Sequence, residues 1–306
     1  MLQIILALAF AIEISIYVFL AQHWWEEPLS LLFIAPLILC LIVAVRILVA
    51  LPSYWLATVF RRRDGIRQSL GNSLYALAKE IDSRAVIFNV SQLFHQWLMP
   101  EGAAKKYAKL SATPVLLVHG YFSNRGIFWQ LRKRLMAAQI GAIYTLNLEP
   151  LLGSIDRMVP LLDKRIEQIC AETKSANVIV VAHSMGGLVT RKYMAGNANL
   201  ARIKCFISIG TPHHGSQLAA FGTGQCVQDM RPGSKWLAAL ELAEKATIKP
   251  PTLSIYTLNE DLVYPPESSK LDWAVSENVS VVAVGHVSML FSKPIAARVI
   301  AEIKKV

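Results

Sequence analysis

The chain has 306 residues, of which 54% are hydrophobic and 17% charged. That balance is too apolar for a purely soluble protein, and the length accommodates one or two domains with a sizeable interior. The net charge of +10 would suit a nucleic acid or an anionic lipid, but no recognition helix, zinc-ligand spacing or aromatic-basic ribbon accompanies it, so no nucleic-acid partner is expected.

Two apolar runs open the chain. Leu2 to Leu20 carries one acid, Glu13, and Leu29 to Leu51 carries one base, Arg46. Each exceeds the roughly 18 residues that mark a bilayer-spanning helix. The link from Ala21 to Pro28 holds Trp24 and Trp25, suited to a headgroup interface, so the pair reads as a transmembrane hairpin. A cleavable signal peptide is the alternative for the first run, which lacks a preceding Lys or Arg and a following small-x-small site. Arg61, Arg62, Arg63 and Arg67 follow the second run, while Glu26 and Glu27 sit in the link. The positive-inside rule then makes this a multi-pass protein of the inner (cytoplasmic) membrane, its remainder facing the cytoplasm. A hairpin that dips into the bilayer without crossing is the other arrangement that Glu13 and Arg46 allow; the two charges are expected to pair or to snorkel.

Residues 1–60 hold Arg46 against Glu13, Glu26 and Glu27, a balance of −2, which leaves +12 on residues 61–306. Attraction to anionic headgroups accounts for that excess, as does a merely solvated surface. Cys40, Cys170, Cys205 and Cys226 show no C-x-x-C spacing and read as buried free thiols, in keeping with a reducing compartment. Tyr54 to Arg63 reads as an interfacial continuation of the second run. Residues 64–100 read as helical, with Leu74, Leu77, Ile81, Ile87, Val90, Phe94 and Leu98 at intervals of three and four and Pro100 as the stop. A helix packed on the next domain is preferred there over a lid or a stalk.

From residue 112, short apolar strands alternate with helices: strands at Pro114–Val118, Gly141–Leu146, Val178–Val181, Cys205–Ile209, Thr252–Leu258 and Val279–Val284, and helices at Gly126–Ala138, Ile155–Thr173, Leu188–Met194 and Pro294–Lys305. This predicts an α/β fold, a mainly parallel sheet covered by helices on both faces, with functional residues beyond the carboxyl ends of its strands. The expected units are a membrane hairpin (1–60), a helical connecting segment (61–111) and an α/β domain (112–306).

The stretch Asn177 to Gly187 organises that domain. The run Val178–Val181 leads into Ala182-His183-Ser184-Met185-Gly186-Gly187 and then into a helix. A serine at such a strand-turn-helix junction forms a nucleophile elbow, its backbone strained and its hydroxyl clear of the sheet. Small residues must flank it; Ala182 and Gly186 give A-x-S-x-G in place of G-x-S-x-G. The serine needs a base, and the base an acid, in the chain order Ser, acid, His. Only His213, His214 and His286 follow Ser184; the first two have no acid placed to orient them, and His286 comes directly after the last strand, so it is the expected base. Asp261 and Glu260 compete for the acid. The apolar Leu262 and Val263 favour Asp261 as the residue turned inward, with Glu260 a solvated loop charge. The oxyanion donors are expected to be the N–H of Met185, at the start of the elbow helix, and that of Tyr121, where Gly120 allows close approach. His119, Gly120, Phe122 and His183 flank these donors and are the expected substrate-binding residues.

Together these motifs resemble the α/β-hydrolase superfamily and, within it, bacterial lipases and esterases. Small lidless bacterial lipases share Ala at the first elbow position, and their base lies in a sequence like Gly285-His286-Val287-Ser288-Met289-Leu290-Phe291-Ser292. Gly210-Thr211-Pro212-His213-His214-Gly215-Ser216 is similar to the G-T-P-H-x-G-S segment of larger bacterial triacylglycerol lipases. The resemblance covers about residues 112–306 and implies carboxylic-ester hydrolysis through an acyl-enzyme on Ser184, with Tyr121 and Met185 as oxyanion donors. The structural calcium of the larger lipases has no matching ligands here; no metal and no cofactor are expected. Residues 215–250, with Phe221, Met230, Trp236, Leu237 and Leu240, are expected to line the acyl pocket, with residues 64–100 as an optional contributor; an ordinary cap helix is the equally weighted alternative. The resulting expectation is a membrane-anchored hydrolase of lipid esters. A lipid acyltransferase and a non-catalytic membrane scaffold are its rivals.

Overall fold

The computed structural model describes residues 1–23, 31–100, 113–196 and 202–306. Trp24, Trp25, Glu26, Glu27 and Pro28 of the expected link lie outside the described residues, as do residues 101–112. Helix α1 spans Leu2–His23 and helix α2 spans Leu31–Arg63, and both are long and apolar enough to cross a membrane. Pro52 does not break α2, so Tyr54–Arg63 is its last two and a half turns. Glu13 of α1 and Arg46 of α2 pair at 2.7 Å, joined by Asn89 and the Tyr17 hydroxyl.

Helix α3 (Leu70–Val86) starts where the Ser69 hydroxyl accepts the Asn72 N–H, satisfying a donor the first turn would leave free. A π-turn at Ile87–Ser91 and a short α4 (His95–Leu98) follow. The apolar stripe read from the sequence is only partly the buried face: Ile87 is buried, but Leu74, Val90 and Phe94 are exposed, whereas Ala76, Glu80, Ser83 and Arg84 are buried. The helix turns its charges inward because the Asp261 carboxylate and the N–H groups of Val287 and Ser288 wait there, as described below.

Six strands form one parallel sheet in the order β2-β1-β3-β4-β5-β6: β1 Val115–Val118, β2 Ile143–Leu146, β3 Val178–His183, β4 Ile203–Ile209, β5 Thr252–Thr257 and β6 Ser276–Val281. Side chains alternate across a strand, so each central strand supplies two cores. Leu116, Val118, Val180, Ala182 and Phe206 meet helices α6 (Val159–Thr173) and α7 (Met185–Gly196) on one face. Val115, Leu117, Ile179, Val181 and Ile207 meet α5 (Trp129–Ala137), α10 (Lys293–Lys305) and Ile87 on the other. Helices α8 (Gln225–Asp229) and α9 (Lys235–Glu244) lie in the segment between β4 and β5.

The last strand begins and ends three residues before its sequence-based limits. As an edge strand paired only to β5, it needs no apolar face on both sides, and its exposed Glu277 and Asn278 hid it. Residues 282–285 therefore belong to the loop that presents His286.

Candidate active site

The strand order reverses direction between β1 and β3, which lie side by side with Val118 opposite Ala182. Loops leaving two such strands diverge and open a crevice at their carboxyl ends. Ser184 stands in it, between β3 and α7, with φ of 55°, in the left-handed region that a side chain disfavours. Its N–H donates to the Ile209 carbonyl at 2.9 Å, and its own carbonyl accepts the Gly187 N–H at 3.0 Å. A Cβ on Gly186 would lie 2.5 Å from the carbonyl oxygens of Val118 and His119. One on Gly120 would lie 2.6 Å from the Ser184 Cβ, so the β1 loop touches the serine only because that residue is glycine. Met185 opens α7, and a helix's first N–H has no intrahelical acceptor, which leaves it available to an oxyanion.

His286 Nδ1 donates to the carboxylate of Glu260 at 2.9 Å. The expectation that Asp261 would orient the ring is corrected by this geometry. The Glu260 chain folds back so that Oε1 also accepts the N–H groups of Asp261, Leu262 and Val263, at 2.9, 3.0 and 3.2 Å. A loop glutamate with four donors around it is buried, not solvated. Its extra methylene is what lets it reach back over its own turn. Burial alone would depress the His286 pKa, but the Glu260 charge and hydrogen bond, with Asp261 and Glu80 behind them, raise it above the ordinary histidine value.

Asp261 instead secures the histidine's main chain: its Oδ1 accepts the His286 N–H at 3.0 Å and its Oδ2 pairs with Arg84 at 2.5 Å. Burial and the neighbouring Glu80 raise the Asp261 carboxyl above its usual value, with Arg84 and the His286 N–H acting the other way. Arg84 also pairs with Glu80 at 2.9 Å. Glu80, wholly buried, accepts the N–H groups of Val287 and Ser288 at 3.0 and 2.9 Å. From α2, Arg61 donates to the Glu260 carbonyl at 2.6 Å and the Ser53 hydroxyl to Asp261 Oδ2 at 3.4 Å. Thus both loops of the candidate acid and base are held by helices that precede the sheet. Sequence reasoning missed Glu80, Arg84, Ser53 and Arg61. One signal was available: Glu80 and Arg84 are an i,i+4 ion pair with small residues at Ala76 and Ser83 on the same face, a pattern that suits burial.

His183 donates Nε2–H to the His286 carbonyl at 3.2 Å, with the two rings 4.7 Å apart. Burial, and then the charge of His286, hold its pKa well below the usual value, so it is a neutral brace. His119 is buried, its Nδ1 donating to the Gly120 carbonyl and its Nε2 accepting the Leu148 N–H, both at 2.9 Å; burial lowers its pKa to about 4. Both its nitrogens are spent on loops, so it shapes the site without facing it. Tyr121, Phe122, His183, Ser184 and His286 border one cavity of about 580 Å³. Leu218, Ala219, Phe221, Val227 and Met230 supply one side of it, whereas Leu237 and Leu240 are buried in the core. Arg84 and Phe88 represent residues 64–100, and Arg46, Val49, Pro52, Ser53 and Leu56 of α2 complete the lining.

A parallel sheet whose central strand ends in a strained serine, with a carboxylate-held histidine on the loop after the last strand, is the arrangement of the α/β-hydrolase fold. The chain has that fold. Residues 151–296, just under half of it, match a PGAP1-like alpha/beta domain. A triacylglycerol lipase of Burkholderia plantarii is 32% identical over 127 residues, 39% of this chain and 34% of that protein. The chain thus spans about a third of the length of the curated relatives it matches. The same fold occurs in the crystal structures of Aspergillus fumigatus lipase B (TM-score 0.57, 22% identity, 65% of this chain and 54% of that one) and of mature Bacillus licheniformis lipase BlEst2 (TM-score 0.55, 14%, 63% and 93%).

Proposed function

We propose that the protein is a membrane-anchored serine hydrolase that cleaves carboxylic esters of lipids through an acyl-enzyme on Ser184. The observation that carries this reading is the strained Ser184 sharing one cavity with an imidazole whose Nδ1–H is committed to Glu260. That bond fixes the tautomer with a free lone pair on Nε2, the form able to take the serine proton. In the proposed reaction Ser184 Oγ attacks the ester carbonyl while His286 Nε2 accepts its proton, and Glu260 stabilises the imidazolium that forms. The N–H groups of Met185 and Tyr121 hold the tetrahedral oxyanion. Collapse breaks the C–O bond, and His286 returns the proton to the departing alcohol. Water, deprotonated by the same imidazole, then releases the acid and restores Ser184.

The apolar lining of the cavity and the lipase names among the relatives support a lipid ester. The two long apolar helices and the arginines after them support an anchor whose catalytic part faces the cytoplasm. The test is labelling of detergent-free membranes with a fluorophosphonate, followed by assay of lipid esters. Labelling of the natural chain that vanishes in Ser184→Ala and His286→Ala is expected. A folded natural chain that takes no label overturns the mechanism. Product analysis with an added acceptor alcohol then separates hydrolysis from acyl transfer.

A further inference from the structure

We propose that helix α2 is a wall of the acyl site as well as an anchor, so that a long-chain ester reaches Ser184 sideways from the bilayer without passing through water. The proposal rests on the Ser184 reading above and adds the route and the substrate class.

Two adjacent stripes of α2 carry it. Ala50, Tyr54, Ala57 and Arg61, spaced four, three and four, are buried against the rest of the protein. Arg46, Val49, Ser53 and Leu56, spaced three, four and three, border the cavity that holds Ser184. One stripe seals the helix to the α/β domain and the next faces the reaction space. The register between them is fixed by polar ties, Arg61 to the Glu260 carbonyl, Ser53 to Asp261, and the Tyr54 hydroxyl to the Ser73 carbonyl. A wall tied to the residues that hold the catalytic histidine is part of the site's construction.

The rim points to what enters. Val49, Phe221 and Leu262 border the cavity yet are 64%, 69% and 38% exposed, so the opening is ringed by hydrocarbon. In water such a rim is unfavourable; against acyl chains it is not. Arg46 and Arg84 touch the cavity but are paired, with Glu13 and with Glu80 and Asp261, and so offer it no uncompensated charge. Depth agrees as well. From Leu56 to Arg62 a helix rises roughly 9 Å, slightly more than the roughly 5 to 7.5 Å of one headgroup layer. With the exposed Arg62 and Arg63 among the headgroups, the cavity lies at the hydrocarbon boundary, where lipid ester carbonyls reside. The ligand class is therefore a bilayer-resident lipid with a long ester-linked acyl chain.

The experiment places the full chain in phosphatidylcholine vesicles and measures release of oleate from dioleoyl phosphatidylcholine against hydrolysis of p-nitrophenyl acetate. Val49→Trp and Leu56→Trp narrow the proposed passage, and Leu48→Trp sits on an exposed α2 position outside the lining. The ratio of long-chain to short-chain rate is expected to fall at least tenfold in the first two and to stay unchanged in Leu48→Trp. Val49 is already largely exposed, so its variant should fold, and retained fluorophosphonate labelling verifies that it has. An unchanged ratio in both passage variants overturns the proposal, whether the two rates persist or fall together. Absence of labelling in the natural chain instead sinks the Ser184 reading, so the two failures are distinguishable.

Discussion

The Glu80 carboxylate accepts the main-chain N–H of Val287 at 3.0 Å across 207 residues of sequence. It thereby fixes, from a helix outside the sheet, the loop on which His286 stands. Glu80→Ala would leave two buried N–H groups without an acceptor and remove one partner of Arg84. Breaking such a network costs about 3 kcal/mol, so a lower midpoint of thermal unfolding and a reduced kcat are expected. Glu80→Gln keeps an acceptor oxygen and should fall between the two. Thermal melts and initial rates on the purified chain check this.

Glu260 and Asp261 should separate by role. Glu260→Gln loses the charge that stabilises the imidazolium and should lower kcat by about 10⁴-fold, with little effect on KM. Asp261→Asn keeps an oxygen for the His286 N–H but abandons Arg84, so its main loss should be stability, about 3 kcal/mol. If Asp261→Asn were the kinetically silenced variant and Glu260→Gln an active one, Asp261 would regain the role of acid.

The raised pKa of His286 sets a pH dependence with a definite sign. Only neutral imidazole accepts the serine proton, so kcat/KM should fall as pH drops through a midpoint above the ordinary value of about 6.5. Glu260→Gln removes the leading cause of the upward shift, and whatever activity remains should persist to lower pH. A pH profile of kcat/KM for both proteins measures the displacement.

Ser184 should be a site where stability and function oppose each other. Its φ of 55° suits glycine better than any other residue. Alanine keeps the strain, so Ser184→Gly is expected to be about 1 kcal/mol more stable than Ser184→Ala, while neither takes up fluorophosphonate. Paired thermal melts decide it.

The Glu13–Arg46 pair predicts a compensation. Arg46→Leu leaves a carboxylate unpaired between apolar helices, a loss of about 3 kcal/mol, whereas Glu13→Leu with Arg46→Leu should return to within about 1 kcal/mol of the natural chain. A double-mutant cycle on unfolding in vesicles or micelles tests whether the coupling is real.

Much of this molecule is legible in one dimension, for a reason each case shows. Val178 to Val181 read as a buried strand because a parallel strand covered on both faces must be apolar throughout, and Gly186 marked the turn because the Val118 and His119 carbonyls approach it from outside. The strand Ser276–Val281 was misplaced because an edge strand carries no such demand. The choice between Glu260 and Asp261 was not legible: both lie in the same turn, and which one meets Nδ1 depends on what occupies the space on the other side. Arg84 occupies it and draws Asp261 away. Local composition thus determined the α/β alternation, the serine at its junction and the two apolar helices. Only the tertiary structure decided which carboxylate serves His286 and that α2 and α3 build the site, since a buried charge is placed by its partners and those partners are separated by up to 208 residues of chain.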